Sequence, residues 1–543
     1  MEKLDAQTKP IGVLLSQQFF FRVPEYQRPF SWDSDNFYDL INDIIEARKD
    51  QEYFLGTVVL HHREKEGHYD VVDGQQRLTS IMILLACLRD LVEEQSFKDG
   101  IQMKILQQKN VVDGIPEKVR LEVKDRPFFN EIVVAANGTL TKRSEAEVPE
   151  PEWRYINAVN VFREKLSPLS QDSLKNIIQF LNQRCIVIYL STSVFEDAFR
   201  LFTIVNDRGK QLRRIDILKA INIAPDVITK DSIRDRIAQQ WEELEKELGE
   251  STFESVFHLV RLILLKDKPQ GDLLKEFEDR IFAKSAVIKG EQFFGLIYRY
   301  AKLYMQLFVD RDLIQEGNKY RSLIHIMDAE FSASEWRACL LAYAFKFGPT
   351  DLLAFTFLLE KVYLEQWVKG IRKDERFNDY AKILSIIENA KKPTDVLESI
   401  KYDEATILDA TLRQNIYSES FIKYFLLRLE LVTAEHDALH QFTAKSIEHV
   451  LPQTPEVSGY WADHHDLSKT KEYVNTLGNL VLLSKSKNSS ASNFDFSKKK
   501  EAYLKNRMSD YPRSLQVLAY KDWDRQTIEE RTAQARSLLL RDL

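Results

Sequence analysis

The middle of the chain shows helical periodicity almost without interruption, from about residue 225 to residue 435. Few glycines or prolines break the pattern, and its frequent aromatic residues are expected to pack helix against helix. At 543 residues the chain is too long for one core, and about three or four folding units are expected. We therefore interpret residues 223–435 as a helical connector or recognition domain between two other domains.

The N-terminal part, residues 1–222, has the pattern of a mixed α/β domain. Phe54–Leu60 and His68–Asp73 read as a strand pair joined by a polar turn, and a long helix is expected after Asp73. Cys185–Leu190 is expected to be another buried strand. Residues 100–152 are polar and irregular, and they are expected to form loops or a small insertion.

The C-terminal part, residues 436–543, is expected to hold two short apolar strands. A helix is predicted from about Ser489, and an amphipathic helix over Thr527–Leu540 closes the chain. The fold class predicted for the whole chain is a multidomain α+β protein that is predominantly helical.

Composition restricts the class of protein. The 44% hydrophobic and 29% charged content is typical of soluble globular proteins, and the net charge of −7 argues against a general nucleic-acid coat protein. The polar N-terminus resembles no signal peptide, and only three cysteines occur, in apolar contexts. We expect a cytoplasmic protein with no membrane partner.

The strongest chemical signal is the pair Glu448 and His449, followed by Asn479 and Asn488. A neutral imidazole can deprotonate water near pH 7, and carboxylate and amide oxygens suit Mg²⁺ or Mn²⁺. His449 is thus a candidate base, Glu448 and Asn488 are candidate metal ligands, and Asn479 is a candidate orienting group. Because neighbouring strand residues point to opposite faces, a bulge or a strand end is expected at the pair.

This segment resembles the HNH, or ββα-metal, nuclease domain. The resemblance rests on three stretches: Glu448-His-Val-Leu-Pro-Gln453, Leu477-Gly-Asn-Leu480 and Lys487-Asn-Ser489. It implies that His449 is the general base, that Asn479 orients it through the loop, and that Glu448 and Asn488 hold the metal ion. Glu448 replaces the more common Asp, and the loop from Thr454 to Thr476 is long.

That long loop contains two neighbouring histidines, His464 and His465. They could be mistaken for metal ligands. We expect both to be exposed loop residues.

A second signal is Asp73-Gly-Gln-Gln-Arg77, where a strand is expected to end and a helix to begin. A helix N-terminus with a glycine and an arginine is a natural anion site, because free N–H groups and the helix dipole favour phosphate. Arg28 is a candidate second phosphate clamp. Asp73 is also the natural N-cap of this helix.

The segments Phe21–Trp32, Val71–Thr79 and Phe199–Leu212 resemble the ParB/sulfiredoxin-like domain of GmrSD-type, modification-dependent (type IV) restriction endonucleases. The order of the two recognisable domains matches the single-chain fusions of that family. The resemblance implies a site for binding and hydrolysis of a nucleoside triphosphate. By position it would contain Gln27, Arg28, Asp73, Gly74, Gln75, Gln76, Arg77, Asn206 and Arg208.

The resemblance therefore implies a nucleotide-regulated, divalent-metal-dependent DNA endonuclease that restricts modified phage DNA in antiviral defence. Its expected partners are modified double-stranded DNA and a nucleoside triphosphate. One HNH site per chain favours a homodimer or two successive nicks. Two alternatives stay open: a nucleotide-sensing protein that binds nucleic acid without cleavage, and an HNH nuclease acting on RNA.

Overall fold

The computed structural model describes most of the chain in two units. Residues 1–242 with 289–291 form the first unit, and residues 243–288 with 292–543 form the second. The described residues are 5–24, 27, 29–47, 51–63, 67–112, 114–143, 148, 150–193, 197–198, 201, 213–224, 226–314, 317–483, 494–505 and 510–543. The predicted division into 1–222, 223–435 and 436–543 concerns functional domains and stays a prediction.

The described strands of the first unit form a six-stranded sheet and a separate two-stranded ribbon. The strands are β1 (Asp5–Pro10), β2 (Phe20–Arg22), β3 (Tyr53–His62), β4 (His68–Asp73), β5 (Leu106–Gln107), β6 (Lys118–Val119), β7 (Leu121–Glu122) and β8 (Cys185–Thr192). The large sheet has the order β1-β8-β3-β4-β2-β7, and β5 pairs with β6. β3 runs parallel to β8, and β2 runs parallel to both β4 and β7, so the sheet is mixed.

The first unit also contains α-helices. They span Ile11–Leu14, Ser34–Glu46, Gln75–Leu91, Gln95–Ile105, Arg126–Phe129, Glu150–Leu166, Gln171–Gln183 and Arg214–Asn222. Two further helices, Asp231–Leu248 and Glu291–Tyr304, contribute residues to each unit. The predicted α/β character of this part of the chain is confirmed.

The helix Gln75–Leu91 is the centre of the first core. Every residue from Leu78 to Arg89 is buried, so the helix is enclosed on all sides. The antiparallel pair β3–β4 and the strand β8 were predicted from their apolar runs, and the structure confirms them.

Residues 100–152 were expected to form loops or a small insertion, and the expectation of loops is wrong. This stretch holds most of the helix Gln95–Ile105, the ribbon β5–β6 and β7, which is one of the two edge strands of the large sheet. Strands of two residues are too short to show an alternating pattern, and they exist because a neighbouring strand supplies hydrogen-bond partners.

The second unit is almost entirely helical, as predicted for the middle of the chain. Its helices span Glu250–Leu265, Leu273–Lys275, Gly317–Glu330, Glu335–Phe347, Leu352–Val368, Lys373–Asn389, Pro393–Ser399, Glu404–Ala410, Ile422–Thr433, Tyr460–His464, Phe496–Lys505, Pro512–Leu515 and Arg525–Leu538. Within the described residues, no helix combines the length and the apolar character needed to cross a membrane.

The two short apolar strands predicted in the C-terminal part are present, and they pair as a hairpin with a long loop. β9 (Ser446–His449) pairs antiparallel with β10 (Leu480–Leu483), and Leu480 lies opposite His449. The residues around Ser489 lie outside the described part, so the predicted start of the following helix is not assessed. The closing helix runs over Arg525–Leu538, close to its predicted bounds.

Candidate active site

The pair Glu448 and His449 lies at the very end of β9, as the opposite-face argument requires. The Glu448 side chain is buried and meets the ammonium of Lys499, with 3.1 Å between Nζ and Oε1. The same ammonium donates to the backbone carbonyl of His449 at 2.7 Å. Lys499 lies on the helix Phe496–Lys505, so one cation ties that helix to the strand end.

The imidazole of His449 has a different partner. Its Nε2 lies 2.9 Å from Oδ1 of Asn475, and Gln453 Nε2 donates to the same oxygen at 3.0 Å. Since an amide oxygen only accepts, this contact places a ring proton on Nε2, and in the neutral ring Nδ1 is then the nitrogen with the lone pair. The ring of Tyr417 meets the imidazole edge-on, with 4.4 Å between centroids.

Asn479 fixes the loop that follows β9. Its Oδ1 accepts from the backbone N–H of Leu451 at 2.7 Å and from Trp523 Nε1 at 3.0 Å. Its Nδ2 donates to the carbonyls of Leu451 at 2.9 Å and Val474 at 2.7 Å. Two accepted and two donated bonds use the whole capacity of the amide, so Asn479 positions the loop and has nothing left for a substrate.

The two histidines of the long loop differ from each other. His465 is buried, its Nδ1 lies 3.1 Å from the Tyr473 hydroxyl, and its Nε2 lies 2.8 Å from the Trp523 carbonyl. Burial lowers the pKa of His465. The prediction that both histidines are exposed is wrong for His465, because Tyr473 and Trp523 satisfy both of its ring nitrogens. His464 is only partly exposed and contacts Tyr460 and Asp522.

Candidate metal ligands are only partly covered by the structure. Asn488 lies outside the described residues, whereas Glu448 lies inside them. Within the described residues, no three His, Cys, Asp or Glu side chains are grouped so that they could hold a metal ion. A carboxylate is a suitable ligand for Mg²⁺, which keeps several waters and needs only one or two protein carboxylates.

Two glutamines of the predicted nucleotide site, Gln27 and Gln76, bind backbone groups of neighbouring segments. Gln76 Oε1 accepts from the N–H groups of Ser31 at 2.8 Å and Trp32 at 3.3 Å, and its Nε2 donates to the Pro29 carbonyl at 3.1 Å. Gln27 is buried, and its Nε2 donates to the carbonyl of Val72 at 2.8 Å at the end of β4. Both glutamines therefore hold the segment around residues 27–32 against the motif.

Gly74 and Arg77 lie against β3. Gly74, with a left-handed φ of 90°, is the N-cap residue of the helix Gln75–Leu91, so the prediction that Asp73 is the cap is wrong. Arg77 Nη1 donates to the Thr57 carbonyl at 3.1 Å. Burial raises the pKa of the Asp73 carboxyl, against the effect of the Gly74 N–H and the charge of Arg77.

A small cleft of about 20 Å³ lies beside the start of this helix. It is lined by Val23, Pro29, Phe30, Gln75, Gln76, Thr79, Val123, Lys124, Asp125 and Tyr155. A cavity of this size holds about one water. A nucleotide would therefore have to displace part of this lining. The remaining predicted residues of this site, Arg28, Asn206 and Arg208, lie outside the described residues.

Sequence reasoning missed Lys499 and Asn475. A signal for Lys499 existed: Phe496, Lys499 and Tyr503 are spaced as one face of a helix, and all three are buried. Asn475 carries no comparable signal, because a single asparagine in a long loop has no pattern around it. Both residues contact the Glu448–His449 pair directly, so the motif alone gives an incomplete site.

Comparison with protein families identifies both ends of the chain. Residues 11–223 match the model described as the GmrSD restriction endonuclease N-terminal domain. Residues 401–536 match the model described as the GmrSD restriction endonuclease C-terminal domain. A search of curated proteins returned no match.

Proposed function

The chain belongs to the GmrSD restriction endonuclease family, and from this premise we propose that it is a nucleotide-regulated HNH endonuclease that restricts modified phage DNA. The family implies a hydrolase whose substrate is DNA. The HNH chemistry, the metal ion, the nucleotide and the DNA modification are our proposals.

The observation that carries the nuclease proposal is the geometry at the end of β9. A histidine and a carboxylate stand side by side there, and Asn475 holds the imidazole with its proton on Nε2. His449 then accepts a proton from the attacking water at Nδ1. Asn479 keeps the loop, and with it the histidine backbone, in place during the reaction.

Glu448 and Asn488 would hold the metal ion. A bound Mg²⁺ or Mn²⁺ would supply stabilisation of the negative charge that develops on the phosphate. Lys499 fixes the orientation of the Glu448 carboxylate, and the burial of that carboxylate limits its access to bulk water.

We assign the nucleotide to the start of the helix Gln75–Leu91. The first N–H groups of a helix attract phosphate, and Gly74 allows a close approach of backbone to ligand. Gln75 and Lys124 line the adjoining cleft, and the Lys124 ammonium is held there by Glu242 at 2.7 Å. Gln27, Gln76 and Arg77 would shape this site through their contacts to backbone carbonyls and N–H groups.

The direct test is DNA cleavage by His449→Ala with Mg²⁺ or Mn²⁺ present. Loss of a positioned general base should lower the cleavage rate by about 10²- to 10⁴-fold. His464→Ala is the matched control, because His464 lies in the same unit and contacts Tyr460 and Asp522 rather than the candidate site. Equal cleavage by His449→Ala and the wild-type chain would reject the catalytic assignment.

The substrate is tested on the wild-type chain with a panel of nucleic acids. Plain, glucosylated-hydroxymethylcytosine and phosphorothioate DNA are compared with RNA, each with and without nucleoside triphosphates. We expect cleavage of modified DNA that changes when nucleotide is added. Preferential cleavage of RNA would instead support the alternative of an RNA nuclease.

A further inference from the structure

We propose that Lys499 is a positioning residue of the nuclease site, which sets the orientation of the Glu448 carboxylate relative to the His449 backbone. This inference rests on the proposed function and adds to it a residue outside the recognised motif. Lys499 touches neither substrate nor reacting atoms in this role, since it acts through Glu448.

The contacts of Lys499 are those of a fixed clamp. Its side chain is only 1% exposed, and the Glu448 side chain is 8% exposed. The ammonium donates to Glu448 Oε1 at 3.1 Å and to the His449 carbonyl at 2.7 Å. A buried ammonium is costly unless it is paired and hydrogen-bonded, so these two acceptors determine where it sits.

The helix that carries Lys499 is itself anchored. Phe496 and Tyr503, on the same buried face, are 1% and 3% exposed, and the Phe496 ring lies 5.6 Å from that of Trp523. Trp523 donates to Asn479, which holds the loop after His449. The clamp therefore connects this anchored helix to the strand end, and the Lys499 side chain, which is only 1% exposed, faces Glu448 rather than solvent.

The neighbouring lysines show that this placement is specific. Lys498 is exposed, with its ammonium 6.0 Å from the centre of the Phe494 ring. Lys500 donates to the Tyr520 carbonyl at 2.9 Å. Of these three consecutive lysines, which carry the same charge on the same helix, Lys499 is the one that meets the Glu-His pair. Lys498 thus provides a control of equal charge.

A partner that orients a ligating carboxylate affects metal binding and rate together. Substitution of such a partner changes metal affinity or activity by about 10- to 100-fold. If Lys499 only competed with the metal ion for Glu448, its removal would strengthen metal binding instead. Weaker metal binding after substitution of Lys499 would therefore indicate positioning, and stronger metal binding would indicate competition.

The experiment compares Lys499→Met and Lys498→Met in the full-length chain. DNA cleavage is measured over a series of Mn²⁺ concentrations, and thermal unfolding is recorded on the same samples. We expect Lys499→Met to lower the maximal rate by about 10- to 100-fold and to raise the Mn²⁺ concentration needed for half of that rate. Lys498→Met should stay within about twofold of wild type, since the Lys498 ammonium lies by the Phe494 ring and the contacts to Glu448 and His449 belong to Lys499.

A second comparison uses Glu448→Gln and the double variant Glu448→Gln/Lys499→Met. The double variant should cleave DNA no more slowly than Glu448→Gln alone, because Lys499 acts through the Glu448 carboxylate. If Lys499→Met does not fold, Lys499→Arg carries the test. Arginine keeps the charge but places it differently, so the rate should again fall.

Three results would overturn the inference. The first is wild-type cleavage by folded Lys499→Met or by Lys499→Arg, and the second is tighter Mn²⁺ binding in Lys499→Met. The third is a wild-type chain that cuts no DNA at all, which rejects the proposed function as well. The first two leave the nuclease proposal standing, so the two failures are distinguishable.

Discussion

At the scale of single residues, two asparagines hold the proposed base in different ways. Asn479 fastens the loop backbone and has no hydrogen-bonding capacity left. Asn475 contacts the imidazole itself, and its own backbone carbonyl accepts from the Tyr417 N–H at 3.3 Å. The sequence motif identified the first asparagine, whereas the second one sets the protonated nitrogen of His449.

Asn475→Ala should therefore lower the turnover number for DNA cleavage with little change in KM. Without the amide oxygen, the imidazole can rotate and exchange its tautomers, so fewer molecules present Nδ1 to the water. We expect a fall of about 10- to 100-fold, as for other partners that orient a ring. Steady-state kinetics on a modified DNA duplex measure both parameters.

Asn415→Ala is a suitable control for that variant. Asn415 is exposed and belongs to the same unit, and its backbone carbonyl accepts from the Ser418 hydroxyl. A rise in KM at constant turnover in Asn475→Ala would show that the amide binds substrate rather than orients the base.

Sequence reasoning placed the central pair correctly at a strand end but could not supply its surroundings. Glu448 and His449 are adjacent in sequence, so their pattern is local. Asn475 and Lys499 lie 26 and 50 residues from His449, and only the folded chain brings them to it. Local periodicity can place Lys499 on a buried helix face, but it does not show which distant residues that side chain contacts.

At the scale of secondary-structure elements, a buried glutamate supports the β9–β10 hairpin from the helix Ile422–Thr433. Glu430 accepts from the backbone N–H of Arg513 at 2.6 Å and from the Ser514 hydroxyl at 2.5 Å. The Ser514 oxygen in turn accepts from the N–H of Leu482 in β10 at 3.0 Å. The hairpin that carries the proposed base is thus fixed through one side chain of the helical segment.

Glu430→Gln should destabilise the second unit. The amide offers one acceptor oxygen in place of two and turns an NH₂ group toward N–H donors, so a buried donor loses its partner. We expect a loss of about 1–3 kcal/mol in the free energy of unfolding, measured by urea titration. Glu435→Gln, at an exposed position shortly after this helix, should change it by less than about 0.5 kcal/mol.

The outcome that contradicts this role is equal stability of Glu430→Gln and wild type. A stable variant with a slower cleavage rate would instead limit the network to positioning of β10.

The regular helices of this unit were predictable because each repeats its apolar face over several turns. The Glu430 network was not, because a buried charge has no sequence signature apart from its partners.

At the scale of the whole molecule, the two proposed sites belong to different units. The residues from Asp73 to Arg77 lie in the first unit, and those from Glu448 to Lys499 lie in the second. Each set is held by hydrogen bonds within its own unit, as Gln76 to Pro29 and Lys499 to Glu448 illustrate. A substitution in one site should therefore leave the folding and the local chemistry of the other intact.

Asp73→Asn and His449→Ala should accordingly separate the two activities. Asn is close to Asp in shape, and burial already raises the pKa of the Asp73 carboxyl, so this change should disturb the fold little. We expect Asp73→Asn to lose triphosphate hydrolysis and the response of DNA cleavage to nucleotide. His449→Ala should lose DNA cleavage while releasing phosphate at the wild-type rate.

Both activities are measured on the same preparations, by phosphate release and by conversion of a modified plasmid. Wild-type phosphate release by Asp73→Asn would remove the N-terminal motif from nucleotide chemistry. Loss of both activities in His449→Ala would mean that hydrolysis depends on the nuclease site itself. If nucleotide regulates the nuclease, Asp73→Asn should still cut DNA, but adding nucleotide should no longer change the cleavage rate. The reason is that nucleotide can affect the nuclease site only by binding at its own site.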